Sequence, residues 1–192
     1  MYKYLLASKS PRRKELLENI GMEFTVCESD FDESTIKKHE DTSMYVRELA
    51  LCKAMAMVKK APSKTLIIGA DTVVEFEGEI LGKPANREEA IDMLTKLSGN
   101  VHYVYTGVAV VRSDDAKSCA SFEKTAVYFE NISREEIEYY IDRHSPYDKA
   151  GSYGIQGYAG VFVNRIDGDY FNVVGLPVCL LHRIIKNEFG ED

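Results

Sequence analysis

No stretch of this sequence stays apolar for long. After Met1 the first apolar run is only Leu5 to Ala7, and no later one approaches the roughly 20 residues that a transmembrane helix needs. Neither a signal peptide nor a membrane anchor is expected, so the protein reads as soluble and cytoplasmic. Cysteine is sparse: Cys27, Cys52, Cys119 and Cys179 are scattered and form no C-x-x-C pair. That distribution suits reduced thiols, and no zinc site is expected. Positive charge is in deficit, with 24 Lys and Arg against 31 Asp and Glu and a net charge of -7. Nucleic-acid surfaces usually carry a clustered basic excess, so no nucleic-acid partner is expected. Small anions are not excluded. Screening limits each charge's reach to about 8–10 Å, and a local group of cations can dominate a cleft whatever the total. Repeats, linkers and low-complexity segments are also missing. With 45% hydrophobic residues, residues 1–192 can bury one substantial core, and a single domain with room for two lobes is expected.

What is present is organised around Thr65 to Thr72, T-L-I-I-G-A-D-T. Its apolar run, bounded by Lys64 and Gly69, reads as a strand covered on both faces, with Asp71 where the buried strand ends. A carboxylate there either caps the following turn or is held beside the low-dielectric interior as a base or metal ligand.

Upstream, Tyr2 to Ala7 reads as a strand and Ser10 to Ile20 as a helix with Ser10 at the N-cap, Pro11 in the first turn and a buried stripe of Leu16, Leu17 and Ile20. Arg12 and Arg13 fall in the first turn, where the helix dipole disfavours cations and welcomes an anion. They are either solvated or part of a phosphate site. A strand at Glu23 to Cys27 precedes the acidic segment E-S-D-F-D-E, in which Glu33, Asp32 or Asp30 can offer a ligand to a hard cation or simply line a solvated loop. Helical spacing then runs from about Thr42 to Lys60. Lys53 shares its apolar face with Val46, Leu49, Ala50, Ala56 and Met57, and either snorkels or aims its ammonium at a ligand anion.

Thr72 to Leu81 reads as a hairpin turning at Glu77-Gly78, followed by L-G-K-P with Lys83 in a constrained loop. Asn86 can cap a helix to about Leu97 with Glu89 at the capping-box position, strands follow at Val101 to Val111 and Ser121 to Phe129, and Ser133 to Glu136 starts another capped helix. Gly151, Gly154, Gly157 and Gly160 recur every third residue in D-K-A-G-S-Y-G-I-Q-G-Y-A-G, which reads as a loop folded against a ligand. Gln156 within it can donate and accept at once, as reading a nucleobase imide edge requires. A strand at Val161 to Ile166, a turn at Asp167-Gly168 and an amphipathic helix from about Leu176 to Phe189 close the chain. Strands, hairpins and helices so mixed predict an α/β fold, with a mixed β-sheet and packed helices.

Six motifs appear in order: S-K-S-P-R-R-K-E-L-L (Ser8 to Leu17), G-A-D-T (Gly69 to Thr72), L-G-K-P (Leu81 to Pro84), S-G-N-V-H (Ser98 to His102), D-K-A-G-S-Y-G-I-Q-G (Asp148 to Gly157) and V-V-G-L-P (Val173 to Pro177). Together they resemble the Maf family of nucleoside triphosphate pyrophosphatases. The resemblance implies a fold related to the inosine triphosphate pyrophosphatases, with two lobes around a cleft, and commonly a homodimer. It implies cleavage between the α- and β-phosphates with a divalent metal, Mg2+ or Mn2+. Asp71 matches the family's proton acceptor, and Arg13, Lys53 and Lys83 match its phosphate-binding positions. Glu33 matches a family acidic position in the cleft with a metal role, and Asp71 either accepts the water's proton directly or holds the metal. Arg12, Thr72 and Gln156 resemble the specificity set of the branch acting on dTTP and UTP, where the branch acting on 7-methyl-GTP usually has Trp, Gln and Glu. One departure is Ser145, which stands where the family often has Glu before the proline of E-P-x-x-K-A-G. The rival reading is a non-catalytic nucleotide-binding regulator of septum formation, which needs a cleft but no base.

Overall fold

A computed structural model of the chain describes residues 2–37, 39 and 41–191. The strands are β1 (Lys3–Leu6), β2 (Phe24–Val26), β3 (Thr65–Phe76), β4 (Glu79–Leu81), β5 (Val101–Arg112), β6 (Ser118–Phe129) and β7 (Val163–Asp167). They form one sheet in the order β2-β1-β3-β5-β6-β7, with β4 paired to β3. β1 runs parallel to β2 and β3, while β3/β4 and β6/β7 are antiparallel, so the sheet is mixed as the sequence predicts. The helices are α1 (Pro11–Asn19), α2 (Thr42–Met55), α3 (Arg87–Leu97), α4 (Arg134–His144), α5 (Tyr170–Val174) and α6 (Val178–Phe189). Among the described residues, no helix is long and apolar enough to cross a membrane.

The chain divides into two compact units. The first comprises Met1–Asp71, Thr106–Glu123 and Gly175–Asp192; the second comprises Thr72–Tyr105 and Lys124–Val174. In the first, α2 lies against the sheet through Ala50 and Ala54, which pack, together with Met57 of the turns that follow, with Leu5, Ile67, Ala109 and Val111. Small residues bring the layers unusually close. A Cβ at Gly69 of β3 would sit 2.2 Å from the Ala50 carbonyl oxygen, and one at Gly107 of β5 would sit 2.0 Å from that of Val46. In the second unit, α3 and α4 pack together over a core that includes Val74, Leu94, Val104, Phe129, Ile141 and Phe162.

Several boundaries differ from expectation for identifiable reasons. β3 does not end at Asp71 but continues to Phe76, because Thr72, Val73 and Val74 sustain the β-branched run. The hairpin at Glu77-Gly78 is therefore the far end of the central strand itself; both turn residues have positive φ, 51° and 81°, as a tight primed hairpin turn requires. In α1, Ile20 lies beyond the helix end and is 48% exposed, and Arg13 takes the buried place beside Leu16 and Leu17. Ser10 holds the N-cap position without a side-chain bond to the helix; its own N–H donates to Ser8 Oγ at 3.2 Å. α2 stops at Met55 and passes into turns, and Ala54 rather than Ala56 lies on its buried face. Asn86 caps α3 by accepting from the Glu89 N–H at 2.9 Å, but the Glu89 carboxylate reaches back to the Ala85 N–H, one residue before the cap. α4 opens with the full Ser133/Glu136 capping box. The glycine-rich segment is not an open loop: short 3-10 turns occupy Ala150–Ser152 and Tyr158–Phe162. α5, five residues long, gave no sequence signal because it is too short for helical periodicity to register.

Candidate active site

Within the first unit, three elements deliver charged side chains to one another. Asp71 extends from the middle of β3 and is 8% exposed. Helix α2, held close by Gly69 and Gly107, directs Lys53 toward it, and the ammonium lies 2.6 Å from Asp71 Oδ1 and 2.8 Å from Glu33 Oε1. Glu33 opens the short 3-10 turn Glu33–Thr35 in the acidic segment; Asp32 caps that turn by accepting from the Ser34 N–H. Lys53 therefore does not snorkel into solvent. It joins two carboxylates from different segments.

Arg13 is the second cation of the set. In the first turn of α1 it is 9% exposed, donates from Nε to the Gly175 carbonyl at 2.8 Å and from Nη1 to Ser8 Oγ at 3.2 Å. Burial pushes its guanidinium below the usual range; Asp71 and Glu33 oppose that shift and Arg12 adds to it. A buried guanidinium is tolerated only with partners of this kind, since desolvating an unpaired charge costs several kcal/mol. Arg13 is thus built into the protein rather than solvated. Arg12, next to it, is half-buried.

Two contributors were not singled out in the sequence. Ser8, inside S-K-S-P-R-R, is the hydroxyl that receives Arg13. Tyr45 has its phenol pushed up by burial first and then by the charges of Asp71 and Glu33, which places it near both carboxylates. Its signal is spacing: Tyr45, Leu49 and Lys53 follow one another at four-residue steps along one face of α2.

The remaining expected site residues belong to the second unit. Thr72 follows Asp71 directly, and on a pleated strand successive side chains take opposite faces. Lys83 is exposed in the loop after β4. Gln156 is exposed on the turn that the Gly157 N–H closes onto the Gly154 carbonyl at 3.2 Å. The two loops are joined, because the Gly151 N–H donates to the carbonyl of Gly82, the residue before Lys83, at 3.0 Å. Ser145, the departure from the motif pattern, ends α4 in the left-handed region at φ 44° and donates its N–H to Ile141. Asp30, the third candidate metal ligand, instead pairs with Lys60.

Chemically, the first-unit set is a lysine joining two carboxylates, with Arg13 under the influence of both charges and Arg12 beside it. All its candidate metal donors are carboxylate oxygens, which suits a hard divalent cation that takes one or two protein ligands and fills the rest of its shell from phosphate and water.

Comparison with known proteins bears on the whole chain. A relative from a Thermoanaerobacter species, named dTTP/UTP pyrophosphatase, is 50% identical over 187 residues covering 97% of both chains. Relatives of the same name from Clostridium novyi and Bacillus anthracis are 49% and 48% identical, covering 95% and 97% of this chain and 95% of each relative. Among solved structures, the Staphylococcus aureus Ham1 protein aligns with a TM-score of 0.46 at 16% identity over 66% of this chain and 71% of that one. The family model described as Maf-like protein matches residues 3–188, and over that span this chain belongs to the Maf-like proteins.

Proposed function

We propose that this chain is a nucleoside triphosphate pyrophosphatase acting on dTTP and UTP, and that the first-unit charge cluster is where it does its chemistry. The observation that carries the reading is Lys53 bridging Asp71 and Glu33 beside a buried Arg13, in a chain half identical to relatives named dTTP/UTP pyrophosphatase. A pure binder of a polyanion gains nothing from a buried carboxylate at its cation site, because like charges repel.

Hydrolysis forms a bond between a water oxygen and the α-phosphorus and breaks the bond from that phosphorus to the α–β bridging oxygen, which leaves with the pyrophosphate. Asp71 accepts the water's proton, and Lys53 fixes the orientation of its carboxylate. Arg13, Lys53 and Lys83 meet the charge that accumulates on the leaving pyrophosphate. Arg12, Thr72 and Gln156 read the base, the last with an amide matched to the pyrimidine imide edge. The two carboxylates at the cation site would repel a triphosphate tail, which favours a divalent ion, Mg2+ or Mn2+, held by Glu33 and Asp71. Such an ion, when bound, polarises phosphoryl oxygens and neutralises charge as the anhydride breaks.

Pyrophosphate release from a panel of nucleotides, with Mg2+ and Mn2+ compared, tests the reading. dTTP and UTP are expected to be hydrolysed well ahead of 7-methyl-GTP, ATP and GTP, because a mismatched base leaves buried polar groups unpaired. If 7-methyl-GTP ranked first, the roles of Arg12, Thr72 and Gln156 would be wrong. No release from any nucleotide would leave the binding-regulator reading in its place. We also propose that the protein is a cytoplasmic homodimer. Exposed aromatics of the second unit, Tyr139 and Tyr158 with ring centroids 5.6 Å apart, support self-association, and sedimentation velocity reads it out.

A further inference from the structure

The second unit buries a hydrogen-bonded polar pair among aromatic side chains. His102, on β5, is fully buried, and its Nε2 shares a hydrogen bond of 2.7 Å with the hydroxyl of Tyr153. Both rings stand edge-on to Phe129, with centroids 4.8 Å away in each case. Burial pushes the imidazole down to about 3, so it is neutral at physiological pH. Its Nδ1 has no partner among the described residues.

Such a pair is a poor way to gain stability. A neutral hydrogen bond contributes about 0.5–1.5 kcal/mol net, a buried unpartnered nitrogen offsets that, and apolar rings of the same shape would pack the core about as well. What a directional bond adds is position: it fixes where along the core Tyr153 sits, which ring packing alone leaves adjustable. The position of Tyr153 matters because of its neighbours in the chain. The next residue, Gly154, begins the Gly154–Gly157 turn, whose tip carries the exposed Gln156. On the far side the chain is pinned again by the buried Ala159 and Phe162. Gln156 is thus displayed on a short turn between two buried anchors, and the first anchor is hydrogen-bonded.

We propose that the His102–Tyr153 hydrogen bond is a positioning device for base recognition, holding the turn so that the Gln156 amide meets the pyrimidine imide edge in one orientation. This rests on the reading of the chain as a dTTP/UTP pyrophosphatase with Gln156 against the base. The device matters most against CTP. A glutamine amide left to adjust can turn to pair with cytosine, so excluding that base depends on how the turn is held.

The test compares wild type with His102→Phe/Tyr153→Phe, which removes both polar atoms while keeping both rings, and with Tyr153→Phe and His102→Gln. Thermal melting is recorded alongside kcat and KM for dTTP and CTP and equilibrium binding of both nucleotides. The double variant is expected to fold and to keep kcat for dTTP within about threefold. Its KM should rise about tenfold, and its preference for dTTP over CTP should fall at least about fivefold. His102→Gln, whose amide nitrogen replaces Nε2, is expected to recover most of that preference. A folded double variant with wild-type KM and preference overturns the inference, as does a loss confined to kcat. If the double variant does not fold, Tyr153→Phe alone carries the same thresholds. A wild-type protein that releases no pyrophosphate would sink the functional reading instead, while the ratio of dTTP to CTP binding across the variants still decides the positioning role.

Discussion

The two units hold their candidate functional side chains in opposite ways. In the first, Arg13, Lys53 and Asp71 stand on a helix, a second helix and the central strand, largely buried, and Lys53 is bonded to both Asp71 and Glu33. In the second, Lys83 and Gln156 are exposed on loops tied down from below, by the Gly151–Gly82 bond and the His102–Tyr153 pair. Groups that must meet developing charge benefit from rigid elements and low dielectric, where each charge acts most strongly. Groups that read a ligand benefit from reach, and their accuracy is supplied by what anchors the loop. A substitution in the first set should therefore damage chemistry, and one in the second should damage recognition.

The largest expected effect is at Asp71. Asp71→Asn keeps the shape of the side chain and removes its basicity, so kcat should fall by at least about 10² while dTTP binding stays measurable by calorimetry. Near-normal turnover would take Asp71 out of the mechanism and erase the distinction between the two units. Gly69→Ala comes next. Its Cβ would lie 2.2 Å from the Ala50 carbonyl oxygen and 3.0 Å from Ala54 Cβ, so α2 must move away from β3 and take Lys53 with it. Overpacking of this kind costs about 1–3 kcal/mol, read as a lower melting temperature. Shifting Lys53 relative to Asp71 should also lower kcat about tenfold or more. An unchanged kcat would mean that the closeness of helix and sheet serves packing alone.

Much of the first unit was legible in the sequence because its signals are local. Pro11 placed α1, the apolar run of Thr65 to Ile68 placed β3, and a lysine in the apolar stripe of α2 marked Lys53 as unusual. What sequence could not supply was the partner. That Lys53 joins Glu33 to Asp71 depends on segments 20 and 18 residues away from it, and that Arg13 is buried depends on the carbonyl of Gly175. The strand's continuation beyond Asp71 was hidden because a charged residue in a β-branched run reads as an ending. In the second unit, His102 and Tyr153 each lay inside a recognised motif, yet no spacing rule links two residues that meet across 51 positions. Ser8 was likewise visible in its motif without a role.

Lys83→Ala sharpens the comparison from the other side. Lys83 is exposed, so its removal should leave the melting temperature unchanged within the roughly 0.5 kcal/mol typical of surface substitutions. KM for dTTP should rise about tenfold while kcat changes less. A fall in kcat as large as that of Asp71→Asn would place Lys83 with the chemistry rather than with binding.

The last effect leaves turnover aside, concerns stability and comes from His102. Burial holds its folded-state value at about 3, against about 6.5 for an unperturbed imidazole. At neutral pH the imidazole is uncharged in both folded and unfolded chains, so its contribution is fully present. As pH falls below about 6.5 the unfolded chain binds a proton that the folded core refuses, and stability drops by about 1.4 kcal/mol per pH unit until the pH nears 3. His102→Phe has no such proton to bind. Urea unfolding between pH 7 and pH 4 should therefore show wild type losing about 3 kcal/mol more than the variant, with the carboxylates common to both cancelling in the difference. Parallel pH profiles would mean that His102 takes up a proton without leaving the core. The second unit would then share the charged character of the first, and the contrast between the charged cluster around Lys53 and a neutral anchor beneath the Gln156 turn would fail at its most buried point.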